Sequence, residues 1–174
     1  MTFKRGEVLR SLLHYLPDSY LSLWLALFPL TYLAHIAEEY WAGNGYSTYL
    51  LKNRGVDLSP ARFLTLQSLG LILMIVGILL AVNLGFPKRM LVILGAITLV
   101  NGLVHTCRSI SASLYEPGLI TSLMLWMPLG GATLLMLFRT MSPVSFVLAV
   151  LIGAAICGLV EVISLRGGRL IKIN

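Results

Sequence analysis

The chain has 174 residues, of which 57% are hydrophobic and only 11% are charged. A typical soluble domain has about 25% charged residues, so a soluble class is excluded and an integral membrane protein of one domain is indicated. The net charge of +6 does not indicate nucleic-acid binding, because most basic residues lie in short flanks between apolar runs, where anionic lipid headgroups favour them. Cys107 and Cys157 lie inside apolar runs and predict neither a disulfide framework nor a Cys-x-x-Cys metal motif.

Residues 1–18 differ from the rest of the chain. Their apolar residues form one stripe at helical spacing: Val8, Leu9, Leu12, Leu13 and Leu16. Basic residues lie mostly off this stripe, a pattern typical of an amphipathic helix in the membrane interface. The alternative interpretation is a signal peptide with 20–33 as its apolar region.

Residues 19–174 are predicted to form one transmembrane domain. A spanning helix needs about 20 apolar residues, and the runs that meet this length are 20–41, 63–84, 90–113, 119–138 and 144–165. The sequence therefore predicts an all-α, polytopic membrane protein: a bundle of five transmembrane helices with an N-terminal amphipathic interfacial helix. We call side A the side from which the first span starts and side B the opposite side. Flanking basic residues divide six to six between the sides, so the positive-inside rule does not fix the orientation.

The connector 42–62 is the longest and lies on side B. Its tyrosines and leucines form an apolar patch, from which we expect an interfacial lid or a lipid-contacting segment over that end of the bundle.

Polar residues of the spans sort by depth and converge near side B. They are His35, Glu38 and Glu39 in the first span, Asn101, His105 and Arg108 in the third, Glu161 in the fifth, and Tyr115, Glu116 and Thr121 in the turn before and at the start of the fourth. Burying ionisable groups in a bilayer is costly, and such residues mark functional sites by default.

Helical spacing gives this group the character of a metal site. His35, Glu38 and Glu39 lie at i, i+3 and i+4 on one face, and His105 comes from a facing helix. Inward histidines and glutamates of a bundle bind divalent metals, so we expect His35, Glu39, His105 and Glu161 as ligands of zinc, with iron or manganese as alternatives. Four glutamates face only one local arginine, so about three negative charges need compensation by an ion or by protons.

Three short segments carry a resemblance: "HIAEE" at 35–39, "NGLVH" at 101–105 and "YEPGLIT" at 115–121. In this order they resemble the motifs H-x-x-E-E, N-x-x-x-H and Y-x-P-G-x-x-T of the HXXEE family. The resemblance implies a small multi-helix membrane protein, and it supports the positions of the site without giving a reaction.

The function predicted from these residues is an intramembrane metal-dependent hydrolase acting on a lipid or isoprenoid-like substrate near side B. Glu38 is expected to be the general base or a bridging ligand, and Asn101 and Tyr115 to orient ligands or substrate. Arg108, Glu116 and Thr121 are expected around them. The expected partners are membrane lipid and the lipid-like substrate.

Three alternatives stay open: a transporter of protons or divalent cations, a bis-histidine haem protein with His35 and His105 as axial ligands, and a structural membrane scaffold. The transporter requires polar residues along a full path, and the side A half of the spans has almost none.

Overall fold

A computed structural model describes the backbone of residues 18–166 and the side chains from Tyr20 onward. Within this part every regular element is helical, as the sequence predicts. The helices are α1 (Asp18–Trp41), α2 (Tyr46–Arg54), α3 (Pro60–Asn83), α4 (Pro87–Ala112), α5 (Leu119–Leu137) and α6 (Pro143–Leu165). The predicted interfacial helix at 1–18 lies outside the described residues, except for Asp18 at the start of α1.

The five long helices confirm the predicted spans. Helices α1, α3, α4, α5 and α6 are each long and apolar enough to cross a membrane. The short helix α2 was not predicted and occupies most of the 42–62 connector. A turn of 3₁₀ helix, Ala42–Asn44, links it to the end of α1.

Two spans begin with the same local signal. Ser59 and Ser142 are N-caps whose hydroxyl oxygens accept hydrogen bonds, each 3.3 Å long, from the third backbone N–H that follows. A proline stands at the next position in both cases, where its missing N–H leaves no unmade hydrogen bond.

Helix α4 is the central helix and packs closely against α5 and α6. A Cβ atom on Gly130 of α5 would lie 2.6 Å from the carbonyl oxygen of Gly95 on α4. A Cβ atom on Gly153 of α6 would lie 2.5 Å from the carbonyl oxygen of Ile93. Small residues allow this backbone approach, which fixes the rotation of α4 and therefore the direction of His105.

The bundle has different interiors at its two ends. Toward side A the core is apolar, with Leu25, Phe28, Leu91, Val92 and Leu94 all nearly inaccessible to solvent. At side B, α2 and the start of α3 form a second apolar cluster of Tyr46, Tyr49, Leu50, Leu58 and Phe63. The buried histidines and glutamates lie beneath this second cluster.

Candidate metal centre

Three buried side chains meet between α1 and α4. His35 and Glu39 come from successive turns of α1, and His105 comes from α4; their potential ligand atoms all lie within 4.8 Å of one another. Glu39 Oε1 is 3.7 Å from His35 Nε2 and 3.5 Å from His105 Nε2. The imidazole rings lie edge to face with centroids 5.1 Å apart. We call His35, Glu39 and His105 the candidate metal centre, shortened below to the metal centre.

These separations fit shared coordination better than hydrogen bonding. Hydrogen bonds between such atoms are about 2.7–3.2 Å long, shorter than both distances from Glu39 Oε1. Two bonds of about 2.1 Å that meet at a tetrahedral angle place the ligand atoms about 3.4 Å apart. The two distances from Glu39 Oε1 suit such bonds, and two imidazole nitrogens with one carboxylate oxygen are a donor set whose chemistry suits zinc, iron or manganese.

His35 is oriented by a relay through α5. Its Nδ1 lies 2.7 Å from Thr121 Oγ1. The same hydroxyl donates to Glu38 Oε2, so it accepts from the Nδ1–H of His35. This assignment puts the proton of the neutral ring on Nδ1 and leaves the Nε2 lone pair facing Glu39. One face of the His35 imidazole stacks on the Trp126 ring, with centroids 3.8 Å apart.

His105 has a carboxylate behind it. Its Nδ1 is 3.3 Å from Oε1 of Glu116, in an alignment that falls short of a hydrogen bond. Glu116 is fully buried; it accepts a 3.2 Å hydrogen bond from the hydroxyl of Tyr49 and lies 3.6 Å from the guanidinium of Arg108. Burial and the Glu116 carboxylate raise the pKa of Tyr49, so the phenol keeps the proton that it donates. The negative charge of Glu116 supports a proton on Nδ1 and a free lone pair on Nε2.

Glu39 is held by its second oxygen. Gln67 of α3 donates a 2.8 Å hydrogen bond from Nε2 to Glu39 Oε2. The amide oxygen of Gln67 accepts a 2.6 Å hydrogen bond from the hydroxyl of Tyr32. The other oxygen of Glu39 is left facing the two histidines. Each of the three candidate ligands therefore has its own supporting contact on a neighbouring element.

Glu38 points away from the metal centre toward the start of α5. Oε1 accepts from the hydroxyl of Tyr115 at 2.6 Å and from the N–H of Ile120 at 2.9 Å. Oε2 accepts from the N–H of Thr121 at 2.6 Å and also from its hydroxyl. The carboxylate thus caps the N-terminus of α5, where a negative charge is favourable. This differs from the expected general base or bridging ligand, because both oxygens already accept hydrogen bonds.

Glu161 is not part of the metal centre, in contrast to the ligand role expected from the sequence. Its carboxylate accepts a 2.7 Å hydrogen bond from Arg108 and forms an ion pair with it. Arg108 follows His105 by three residues on α4, so it reaches α6 on the same side of the helix and binds Glu161 there. The guanidinium bridges Glu161 and Glu116.

The remaining predicted residues lie close to the metal centre. Asn101 Nδ2 is 3.4 Å from His35 Nε2, and its oxygen accepts a weak contact from the thiol of Cys157 at 3.9 Å. Tyr115 is linked to His35 indirectly, by way of Glu38 and Thr121. Partial burial and the Glu38 carboxylate raise the pKa of Tyr115, which keeps its hydroxyl as a donor.

A glycine makes room for all three candidate ligands. Gly118 has φ +97°, and a Cβ atom there would lie 2.9 Å from Cε1 of both His35 and His105 and 3.1 Å from Cγ of Glu39. The sequence prediction did not include Gly118, although its motif segment contains it. It also did not include Trp126 or the hydrogen bond from Gln67 to Glu39. The signal available for Gln67 was its depth near side B, which matches that of the histidines.

Helix α2 closes the metal centre from side B. His35 and His105 are each 1% exposed, and the Tyr46 ring centroid is 6.1 Å from that of His105. Residues with positive φ flank α2: Gly45 at +82° and Gly55 at +64°. The two described cavities lie near side A and do not contact the metal centre. Because His35 and His105 are almost inaccessible, a substrate would reach them only after a displacement of α2 or of a neighbouring helix.

Comparison with protein families found a match to the model described as "Protein of unknown function with HXXEE motif", which covers residues 26–133. This range contains the whole metal centre, its contacts to Gln67, Glu116 and Thr121, and Glu38, and it ends before Glu161. No curated protein and no solved structure matches the chain.

Proposed function

We propose that this chain, which belongs to the HXXEE family of proteins of unknown function, is a membrane-embedded metal-dependent enzyme. The observation that carries the proposal is the metal centre itself: three buried donor atoms face one another while a separate contact orients each side chain. Such outer contacts commonly fix the tautomer and direction of metal ligands.

The balance of charge supports a divalent ion. Arg108 offsets Glu161, and Glu38 is offset by four hydrogen bonds at a helix N-terminus. Glu39 and Glu116 remain, beside two neutral histidines, and one divalent cation balances both. A proton on Glu39 or on His105 is the other solution, but either would be expected to give a short hydrogen bond between Glu39 and a histidine. The 3.5 and 3.7 Å separations are too long for such a bond.

The reaction that we propose is hydrolysis of a lipid or isoprenoid-like substrate. A divalent ion, zinc or alternatively iron or manganese, would supply Lewis-acid chemistry at this centre. Asn101 is beside His35 Nε2 and is suited to orient a substrate oxygen. Glu38 holds Thr121 and through it His35, and Tyr115 holds Glu38, which favours positioning roles for both. Helix α2 excludes water from the centre until substrate enters.

A transporter is less well supported because it needs a polar path through the whole bundle. The described core toward side A is closed by Leu25, Phe28, Leu91 and Leu94, which are all at most 2% exposed. A bis-histidine haem would require a porphyrin between rings whose centroids are 5.1 Å apart, in the place that Glu39 occupies.

Elemental analysis of the purified protein tests the proposal. We expect one divalent ion per chain in the wild type, loss of the ion in His105→Ala, and retention in Glu161→Gln, which removes a partly buried carboxylate outside the centre. Wild-type protein that binds neither zinc, iron nor manganese after reconstitution would contradict it.

The reaction is tested separately by incubating the metal-loaded protein with membrane lipid extracts and following them by mass spectrometry. We expect a lipid that is consumed by the wild type and not by His105→Ala. If no lipid changes and the protein moves cations across liposomes, the transporter replaces the enzyme.

A further inference from the structure

A cleft of about 780 Å³ opens on side A, at the opposite end of the bundle from the metal centre. The start of α1, the end of α3 and the starts of α4 and α6 line it. Its charged residues are Lys88 and Arg89 at the beginning of α4. The described lining contains no acidic side chain, and neither cation has an ion-pair partner among residues 20–166.

An apolar groove of about 320 Å³ continues from this cleft between α1 and α5. Leu21 and Lys88 line both, so the two spaces adjoin at these residues. Deeper in the bundle the groove is lined by Leu23, Leu27 and Met136 among other side chains. Its surface is almost entirely apolar, and Leu23 and Leu27 are 67% and 39% exposed.

We infer that the cleft and groove together bind one anionic phospholipid of the side A leaflet. The headgroup phosphate lies against Lys88 and Arg89, and one acyl chain occupies the apolar groove. Basic pockets between transmembrane helices bind anionic headgroups in this way. A zwitterionic headgroup fits less well, because it brings its own cation next to Lys88 and Arg89.

This site is separate from the metal centre. Leu21 and His35 are fourteen residues apart on α1, which corresponds to about 20 Å along the helix axis. Lipid binding on side A therefore does not depend on the proposed enzyme activity and is testable without it.

The experiment is native mass spectrometry of the full chain after delipidation, with phosphatidylglycerol or phosphatidylcholine added back. We expect the wild type to retain phosphatidylglycerol at least about tenfold better than phosphatidylcholine. Lys88→Gln/Arg89→Gln is expected to bind phosphatidylglycerol about 30-fold more weakly. The control Lys52→Gln/Arg54→Gln on α2 removes the same charge on side B and is expected to bind like the wild type.

A second variant tests the groove without changing charge. Leu27→Trp places a larger side chain in it and is expected to weaken phosphatidylglycerol retention at least about threefold, while melting near the wild-type temperature. Equal binding of the two lipids by the wild type overturns the inference. Unchanged phosphatidylglycerol binding in Lys88→Gln/Arg89→Gln also overturns the inference. Unchanged binding in Leu27→Trp overturns it as well, because then no acyl chain occupies the groove.

Discussion

The substitution Gly118→Ala is the most direct test of the metal centre, because it adds one methyl group where three candidate ligands converge. Gly118 precedes α5 with φ +97° and ψ −9°. The new Cβ atom would lie 2.9 Å from a ring carbon of His35 and of His105 and 3.1 Å from Glu39. Carbon atoms in contact are normally about 3.5–4.0 Å apart, so both rings must move by several tenths of an ångström.

Two effects of different size follow. The positive φ alone destabilises a residue with a Cβ atom by about 1–2 kcal/mol. Displacement of the rings changes the donor geometry, and loss of ligand orientation typically weakens metal binding by about 10–100-fold. We therefore expect Gly118→Ala to have a lower melting temperature and metal affinity reduced by about that factor.

Gly55→Ala is the matched control. Gly55 also has positive φ, at +64°, but no atom lies within 4 Å of a Cβ built there. It should show the backbone strain without the change in metal affinity. Metal titration and thermal unfolding of both variants in detergent separate the two effects. If Gly118→Ala binds metal like the wild type and melts like Gly55→Ala, then the metal centre is not where we place it.

Three further substitutions test the contacts around the centre. Glu38→Gln cannot accept all four hydrogen bonds, so we expect it to lose about 1–3 kcal/mol of unfolding free energy and to bind metal more weakly. If the variant has normal stability and metal content but no turnover, Glu38 is the general base instead. Gln67→Leu should weaken metal binding about 10–100-fold in a metal titration, whereas the exposed neighbour Ser68→Ala should not. Arg108→Met leaves two carboxylates without their cation and should lower the free energy of unfolding by about 3–5 kcal/mol, measured with denaturant. Adding Glu161→Leu should recover part of that free energy. No recovery in the double variant would contradict the ion pair.

The spans are predictable from the sequence because length and hydropathy alone set them. Helix α2 is not, because a nine-residue segment with serine, threonine, lysine and asparagine has little helical preference of its own. The helix forms because Tyr46, Tyr49 and Leu50 become buried against α3 and the metal centre. Gly55, which ends α2 in a left-handed conformation, was a local signal for its C-terminus.

The metal centre is predictable only in part, because the sequence gives the depth of a side chain but not its partner. Depth and helical spacing bring His35, Glu39 and His105 to one level on facing helices. Depth does not determine which carboxylate meets which partner, so Glu161 was expected at the centre although Arg108 binds it. The direction of Glu38 depends on the start of α5, whose position follows from the fold of the 115–121 turn and not from α1.

The three motifs form one connected network, which gives a physical reason for the residue type at most of their positions. In H-x-x-E-E, His35 and Glu39 share one face, while Glu38 is rotated by about 100° from Glu39 and reaches α5 instead. In Y-x-P-G-x-x-T, the tyrosine and threonine bind Glu38, and the threonine also accepts from His35. Gly118 of the same segment leaves room for the ligands. A contact that orients His35 therefore depends on the adjacent Glu38, so the two neighbouring glutamates have different roles and only Glu39 faces the centre.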